Sequence, residues 1–281
     1  MAAYSPLHPD PAELGRAWQA MVEAEYEQVE RLREWQDQAG DHYQPIAHHF
    51  ADDPRRTDDP QLDVLRGMSR PDATWLDIGA GGGRNALPLA LVSERVIAIE
   101  PSTGMREVLQ AGMDEHHITN IDLRDLRWPE GASEVTADFG LAAHVGYDIR
   151  EINPFIDGME RATRERCCMM MMDRAPSSGY LRLWEQVHGE ARQLLPGMRE
   201  FMYLLLARGA VPEVHLAKRH FRTMDEDGVR EEARRRLWLS EGSEKEQKLQ
   251  SLLADMRAGG ETDFQFPAVV ALIIWEPVRG A

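Results

Sequence analysis

The residues best suited to chemistry in this sequence form a glycine-rich segment followed by a single acid. The segment is LDIGAGGGRN, residues 76–85, between an apolar strand pattern and a helical pattern. Gly79, Gly81 and Gly83 lack a Cβ, so the backbone can turn tightly and approach a ligand at the start of a helix. Glu100 ends the next apolar strand, 21 residues after Gly79, where a carboxylate can accept two hydrogen bonds from a ribose diol. Together these residues predict a nucleoside site.

Two kinds of nucleoside-binding loop have to be distinguished. Nicotinamide dinucleotide sites carry the pattern G-x-G-x-x-G/A, whose small sixth residue allows close helix packing beneath the pyrophosphate. In this sequence Arg84 occupies that sixth position. The spacing here is G-x-G-x-G with Asp77 before it. This pattern disfavours a nicotinamide-dependent oxidoreductase, although that function remains one of the three hypotheses that we consider.

The segment resembles that of the class I S-adenosylmethionine-dependent methyltransferases, in which strand and loop read hydrophobic-Asp-x-Gly-x-Gly-x-Gly. The resemblance covers residues 72–175. It implies a lining for the methionyl part of S-adenosylmethionine, formed by Gly79, Ala80 and Gly81. It also implies that Asp77 orients the loop or the ammonium group of the cofactor, and that Glu100 holds the ribose hydroxyls.

The resemblance extends to the ends of the third and fourth strands. Asp125 matches the acid that contacts the exocyclic amine of adenine, and Leu126 lies beside the ring. His144 matches the rim where methyl acceptors bind, and it is our candidate general base because histidine titrates near neutral pH. A cofactor contact and a solvent-facing rim residue remain open alternatives for His144. Tyr147 and Asp148, on the same loop, could orient the acceptor or the base.

The elements that must position these residues follow from the apolar pattern. Apolar runs predict five strands, at residues 74–79, 95–100, 120–125, 135–144 and 166–173. Helices are predicted between them at residues 103–115 and 150–164, and such alternation indicates a parallel sheet covered on both faces. Two later strands, at 213–221 and 267–277, are expected to pair as a hairpin. The expected fold is α/β, a doubly wound, mainly parallel seven-stranded sheet with an antiparallel C-terminal strand, plus helical cap segments.

The domain organisation is read from shifts in composition. Residues 1–70 are expected to form an N-terminal helical cap segment, with an amphipathic helix from residue 11 to about 38. Residues 71–281 are expected to form a Rossmann-like methyltransferase domain with a helical insertion at about 176–212. Both additions are candidates for shaping the acceptor pocket, and structural padding on the sheet is the alternative.

Composition narrows the class of partner. Lys and Arg number 32 against 48 Asp and Glu in 281 residues, a net charge of −16, which repels phosphate backbones and anionic lipid. We therefore expect neither a nucleic-acid nor a membrane partner. The two cysteines, Cys167 and Cys168, are adjacent inside an apolar strand, which indicates buried filler in a reducing compartment, so a cytoplasmic location is expected.

Other residue clusters predict no further chemistry. The doublets His48-His49 and His116-His117 lack a partner at metal-ligand spacing, so no metal is expected. The N-terminus lacks the basic and apolar regions of a secretory signal, and no apolar run is long enough to cross a membrane. The resulting hypothesis is a cytoplasmic S-adenosylmethionine-dependent methyltransferase acting on a small molecule. A non-catalytic S-adenosylmethionine-binding module acting through protein contacts is the alternative, and the oligomeric state, monomer or homodimer, is left open.

Overall fold

A single sheet carries the predicted site residues. We analysed a computed structural model that describes residues 9–35, 41, 44–130, 134–219, 225–260 and 268–279. Its seven strands are β1 (Thr74–Ile78), β2 (Arg95–Ile99), β3 (Ile121–Arg124), β4 (Ala137–Ala143), β5 (Thr163–Met172), β6 (Glu213–Arg219) and β7 (Ala268–Trp275). Their order in the sheet is β3-β2-β1-β4-β5-β7-β6.

The strand directions confirm the expected topology. β1 to β5 pair in parallel, and β7 runs antiparallel to both β5 and β6. The late hairpin of β6 and β7 extends the sheet beyond β5, as predicted. Because β1, β2, β3 and β4 are parallel, their carboxyl ends meet at one edge of the sheet, where open α/β proteins place their ligands.

Helices cover the sheet and connect its strands. They are α1 (Pro11–Leu32), α2 (Pro60–Met68), α3 (Ala86–Ala90), α4 (Thr103–His116), α5 (Ile152–Ala162), α6 (Leu181–His188), α7 (Met198–Ala207), α8 (Glu226–Arg236) and α9 (Glu244–Ala258). Two 3₁₀ helices, Gln44–Phe50 and Pro176–Tyr180, lie in the connections.

Helix ends differ from the predicted ones for local reasons. α1 begins at Pro11 as predicted, capped by Asp10, but ends at Leu32 because the backbone of Arg33 is extended. The rest of the predicted helix, at residues 36–38, lies outside the described residues. Residues 225–257, a charged stretch whose pattern predicts helix, form two helices, because Trp238 and Gly242 between them both have positive φ values.

The main core lies on both faces of the sheet. Trp75 and Leu76 of β1 are fully buried, as expected for a parallel strand covered by helices on each side. Cys167 and Cys168 are free and buried in β5, as predicted. Burial raises the pKa of the Cys167 thiol to about 12. Neither cysteine is therefore suited to act as a thiolate nucleophile.

A second, smaller core lies beside the main one. It joins the end of α1 to α6, α8 and α9, and its buried members are Val29, Tyr180, Leu183, Trp184, Val187, Ala233, Leu237, Leu239, Leu249 and Leu253. The N-terminal helix and the insertion after β5 are thus held together, and the helices between β6 and β7 belong to the same unit. Within the described part of the chain, no helix combines the length and the apolar character that crossing a membrane requires.

Candidate functional site

The glycine loop adopts a backbone conformation that favours glycine. Gly79, Gly81 and Gly83 have φ values of 71°, 55° and 88°, a region that side chains disfavour. The amides of Gly79 and Ala80 both donate to the carbonyl of Ile99, at 2.8 and 3.1 Å. The loop is therefore fixed to the end of β2, directly before Glu100.

The three glycines differ in what surrounds them. A Cβ on Gly79 would lie 2.5 Å from Val145 Cγ2, and one on Gly83 would lie 2.4 Å from Leu109 Cδ1. At Gly81 the nearest atom to such a Cβ would be Met105 Sδ, at 4.0 Å. Gly79 and Gly83 are thus required for packing within the fold, whereas Gly81 faces space that a ligand can occupy.

The Glu100 carboxylate is held by backbone amides of the glycine loop and of the turn after β2. Its Oε2 accepts a hydrogen bond from the Gly81 amide and its Oε1 accepts one from the Ser102 amide, both at 2.8 Å. Burial raises the pKa of Glu100, although the two amides and Arg106 oppose the shift. A carboxylate has about four acceptor positions. Two of them remain for further donors, which matches the pair of hydroxyls in a ribose diol.

Asp77 lies beneath the loop with an unusual electrostatic environment. It is 1% exposed, and neither carboxylate oxygen accepts a hydrogen bond among the described residues. Burial raises the pKa of Asp77 to about 7, and the nearby Glu100 carboxylate adds to the increase. The Ala86 amide opposes the shift. A cationic or strongly donating ligand group would fit this buried carboxyl, and the ammonium of S-adenosylmethionine is such a group.

Asp125 lies at the same edge of the sheet, beside an arginine that sequence reasoning missed. Arg106 Nη1 donates to Asp125 Oδ1 and to the Glu100 carbonyl, each at 2.9 Å. The Asp125 side chain is 69% exposed, and Leu126 is half-buried. Arg106 therefore ties the ends of β2 and β3 together. Its position in the first turn of α4, three residues after Thr103, was the available signal.

His144 begins the loop after β4 in a left-handed conformation. Its φ is 57°, and its amide donates to the Met170 carbonyl at 2.8 Å. Its Nδ1 lies 3.4 Å from the Tyr147 hydroxyl, which in turn accepts a hydrogen bond from the Met172 amide at 2.7 Å. His144 is exposed, and Val145 packs against Gly79. The structure therefore brings this loop against the glycine loop.

The contacts of the remaining candidates, Asp148, His48 and His49, assign them no chemical role. Asp148 is exposed, and the 3₁₀ helix that carries His48 and His49 packs against α4. The rings of these two histidines are 4.0 Å apart. Among the described residues, no three potential metal ligands are grouped in a way that could hold an ion.

Comparison with solved structures defines the class of fold. The YcgJ protein from Bacillus subtilis superposes with a TM-score of 0.54 at 13% identity, over 79% of this chain and 99% of that chain. A putative methyltransferase from Bacillus halodurans C-125 gives 0.54 at 14% identity, over 78% of this chain and 98% of that chain. At these identities the likeness shows the α/β methyltransferase fold and nothing finer. A search of curated protein sequences finds no match.

A family model assigns the domain at sequence level. Residues 76–169, from β1 into β5, match the model of a methyltransferase domain. The segment of the chain from β1 into β5 is therefore similar in sequence to methyltransferase domains. The matched span includes the glycine loop, Glu100, Asp125 and His144.

Proposed function

We propose that this protein transfers the methyl group of S-adenosylmethionine to a small-molecule acceptor at the carboxyl edge of the sheet. The observation that carries the proposal is the environment of Gly81. It is the glycine of the loop with open space on its side-chain side, and its amide is bonded to Glu100. A ligand lying against Gly81 would place its ribose next to this carboxylate.

The chain's own residues would divide the binding of the cofactor among them. Glu100 would hold the ribose hydroxyls, and Asp77 would face the ammonium group or stabilise the loop beneath it. Asp125 and Leu126 would border the adenine, with the Asp125 carboxylate already held by Arg106. When bound, S-adenosylmethionine supplies a methyl group on a sulfonium, which is already activated for displacement.

Catalysis would then consist mainly of alignment and exclusion of water. An acceptor hydroxyl or ammonium must also lose a proton, and His144 would accept it at Nε2. That role requires the proton of the neutral imidazole to reside on Nδ1, the nitrogen near the Tyr147 hydroxyl. Tyr147 would thereby position the ring, because its own hydroxyl is fixed by the Met172 amide.

The helices outside the sheet support an acceptor site on the His144 side. Trp18 Nε1 of α1 donates to the Ile149 carbonyl at 2.8 Å, so α1 is bound to the loop that follows His144. α1 also packs against α5 and α7. We therefore propose that the N-terminal segment and the insertion at about 176–212 border the acceptor pocket, above a Rossmann-like domain of residues 71–281.

A small molecule is favoured over a nucleic acid because of charge. The net charge of −16 opposes association with a phosphate backbone. A cytoplasmic location is part of the same proposal, because both cysteines are free and buried.

Two assays test this function. S-adenosylhomocysteine should raise the melting temperature, since a ligand specific to the folded state stabilises it by about 2.7 kcal/mol at a hundredfold excess over Kd. Radiolabelled methyl transfer should then be measured on a panel of metabolites and, in parallel, on total RNA. Labelled RNA with unlabelled metabolites would overturn the small-molecule assignment. Cofactor binding without transfer to any acceptor would favour the non-catalytic module, and no binding would overturn the whole proposal.

A further inference from the structure

Residues 44–59, the part of the α1–α2 connection next to α2, lie directly against the proposed cofactor site. We refer to this stretch as the N-terminal strap. A Cβ on Gly82 would lie 2.9 Å from the Phe50 carbonyl oxygen, and one on Gly104 would lie 2.8 Å from Gln44 Cα. Both neighbours are backbone atoms, which cannot move aside as a flexible side chain can. Glycine at these two positions therefore allows the strap to contact the loop and α4.

A hydrogen-bond chain links Asp41, three residues before the strap, to Glu100, the proposed ribose-binding acid. Asp41 Oδ2 accepts from Ser102 Oγ at 2.9 Å and from the Gly104 amide at 3.1 Å. The Ser102 amide donates to Glu100 Oε1 at 2.8 Å. The N-terminal region thus supports the turn in which Glu100 is held.

The strap is attached to the glycine loop by ion pairs. Arg84 Nη1 lies 2.5 Å from Asp52 Oδ2, and its Nη2 lies 3.1 Å from Asp59 Oδ2. Arg56 also pairs with Asp59, at 3.0 Å, and donates to the Arg84 carbonyl at 2.8 Å. We call these four residues, Arg84, Asp52, Asp59 and Arg56, the Arg84 clamp.

We propose that Arg84 is a positioning residue for cofactor binding, acting through the clamp and the strap. The loop has three glycines with positive φ and few side chains of its own with which to hold one conformation. Support must then come from the strap pressed against Gly82 and Gly104. This inference rests on the proposed function, because it concerns how the same cofactor site is preorganised.

Substitutions at Arg84 test the clamp, and the same substitution in another ion pair of similar exposure serves as the control. Arg95 serves as the control, since it pairs with Asp122 at 2.5 Å and is 51% exposed against 55% for Arg84. It lies at the start of β2, on the opposite edge of the sheet. We measure Kd for S-adenosylhomocysteine by calorimetry and hydrogen exchange of residues 44–50 in the ligand-free protein.

We expect Arg84→Met to weaken S-adenosylhomocysteine binding by about three- to tenfold, the range for one or two partly exposed ion pairs. Exchange of residues 44–50 should also become faster. Arg84→Lys should recover part of both effects, because it keeps the charge without the fork geometry of the guanidinium. Arg95→Met should change neither measurement.

A glycine pair provides an independent test that leaves the clamp intact. Gly104 lies in the first turn of α4, where alanine favours the helix. The Cβ added by Gly104→Ala would nevertheless clash with the Gln44 backbone. Gly67→Ala is the control, because Gly67 is also helical and has no atom within 4 Å of the added Cβ. Gly104→Ala should weaken S-adenosylhomocysteine binding and accelerate exchange of residues 44–50, whereas Gly67→Ala should not.

The outcomes separate this inference from the proposed function. If wild type binds S-adenosylhomocysteine and both Arg84→Met and Gly104→Ala bind equally well, the positioning role is wrong and the cofactor site stands. Faster exchange of the strap with unchanged Kd would also overturn it, since the strap would then be uncoupled from the site. If wild type does not bind, the proposed function itself fails.

Discussion

Asp77 offers the sharpest test of the site, because its buried carboxyl should make the folded protein less stable as pH rises. The pKa of Asp77 is about 7 in the folded protein, against an ordinary value of 3.8. Between these values the unfolded chain loses the proton while the folded protein retains it. The unfolding free energy therefore falls as pH rises through this window, and it levels off above pH 7.

The size of this effect follows from the two pKa values. Each pH unit between them is worth about 1.4 kcal/mol, so the whole window corresponds to about 4 kcal/mol. Asp77→Asn cannot ionise and has nearly the same shape. We expect the variant's stability advantage over wild type to grow by about 2 to 3 kcal/mol between pH 5 and pH 8. Urea unfolding of both proteins across this range measures the difference.

Asp138, on the neighbouring strand β4, supplies a control, because its pKa is shifted in the opposite direction from that of Asp77. It is also buried, which by itself raises the pKa, but the Thr74 amide and the Arg164 guanidinium hold its pKa below the ordinary value. These partners lie 2.9 and 3.1 Å from its oxygens. Asp138→Asn should therefore destabilise the protein at pH 7. A stability difference between Asp77→Asn and wild type that does not change with pH would refute the reasoning for Asp77.

Ligand binding should offset the destabilisation that ionised Asp77 causes in the free protein. If the cofactor ammonium faces this carboxyl, S-adenosylhomocysteine favours the ionised form, and binding near pH 6 should release a proton. Calorimetry in two buffers of different ionisation enthalpy measures that release. Asp77→Asn should bind more weakly and show no release from this group. Equal proton release by wild type and Asp77→Asn would indicate that Asp77 supports the loop and does not contact the ammonium group.

Four further predictions address the other parts of the site. Gly81→Val should abolish S-adenosylhomocysteine binding, whereas Gly189→Val, also at a positive φ (81°) but with open surroundings and away from the glycine loop, should bind like wild type in calorimetry. Glu100→Ala should weaken binding by about 1.5 to 3 kcal/mol, and an unchanged Kd would remove it from the site. His144→Ala should lower kcat by about 10² to 10⁴ with cofactor affinity retained, as measured with the acceptor found by the panel. Tyr147→Phe should shift the pH profile of kcat, and an unshifted profile would exclude its positioning role.

The sheet and the glycine loop could be predicted because their signals are local. The apolar run before Gly79 and the acid after the second run fix β1, β2 and the loop within about 25 residues of sequence. Once strands are parallel, the ends of β3 and β4 must lie at the same edge. Asp125 and His144 could therefore be assigned to that edge before any contact was known.

The second core and the strap could not be predicted, because their contacts join distant residues without a periodic pattern. Gln28 of α1, for example, donates to the side chain of Glu190, 162 residues later. The segment from 44 to 59 has no helical or strand period, and its place is set by packing on Gly82 and α4 together with ion pairs to Arg84. Sequence reasoning read Arg84 only as a departure from the dinucleotide pattern. Its partners Asp52 and Asp59 fall within residues 1–70, for which the sequence predicts only a cap segment.

The acids on the strands of the sheet differ in whether their charge is compensated, and this contrast supports a ligand site at the carboxyl edge. Asp122 on β3 is paired with Arg95 and Arg124, and Asp138 with Arg164, so each of these charges is compensated within the fold. Asp77 has no such partner among the described residues and lies close enough to Glu100 for the two carboxyls to repel. Folding alone gains nothing from this arrangement, since an uncompensated buried charge is destabilising. A cationic ligand supplied at the glycine loop would compensate it, so a residue whose ionisation weakens the free protein is also one that a bound cofactor would satisfy.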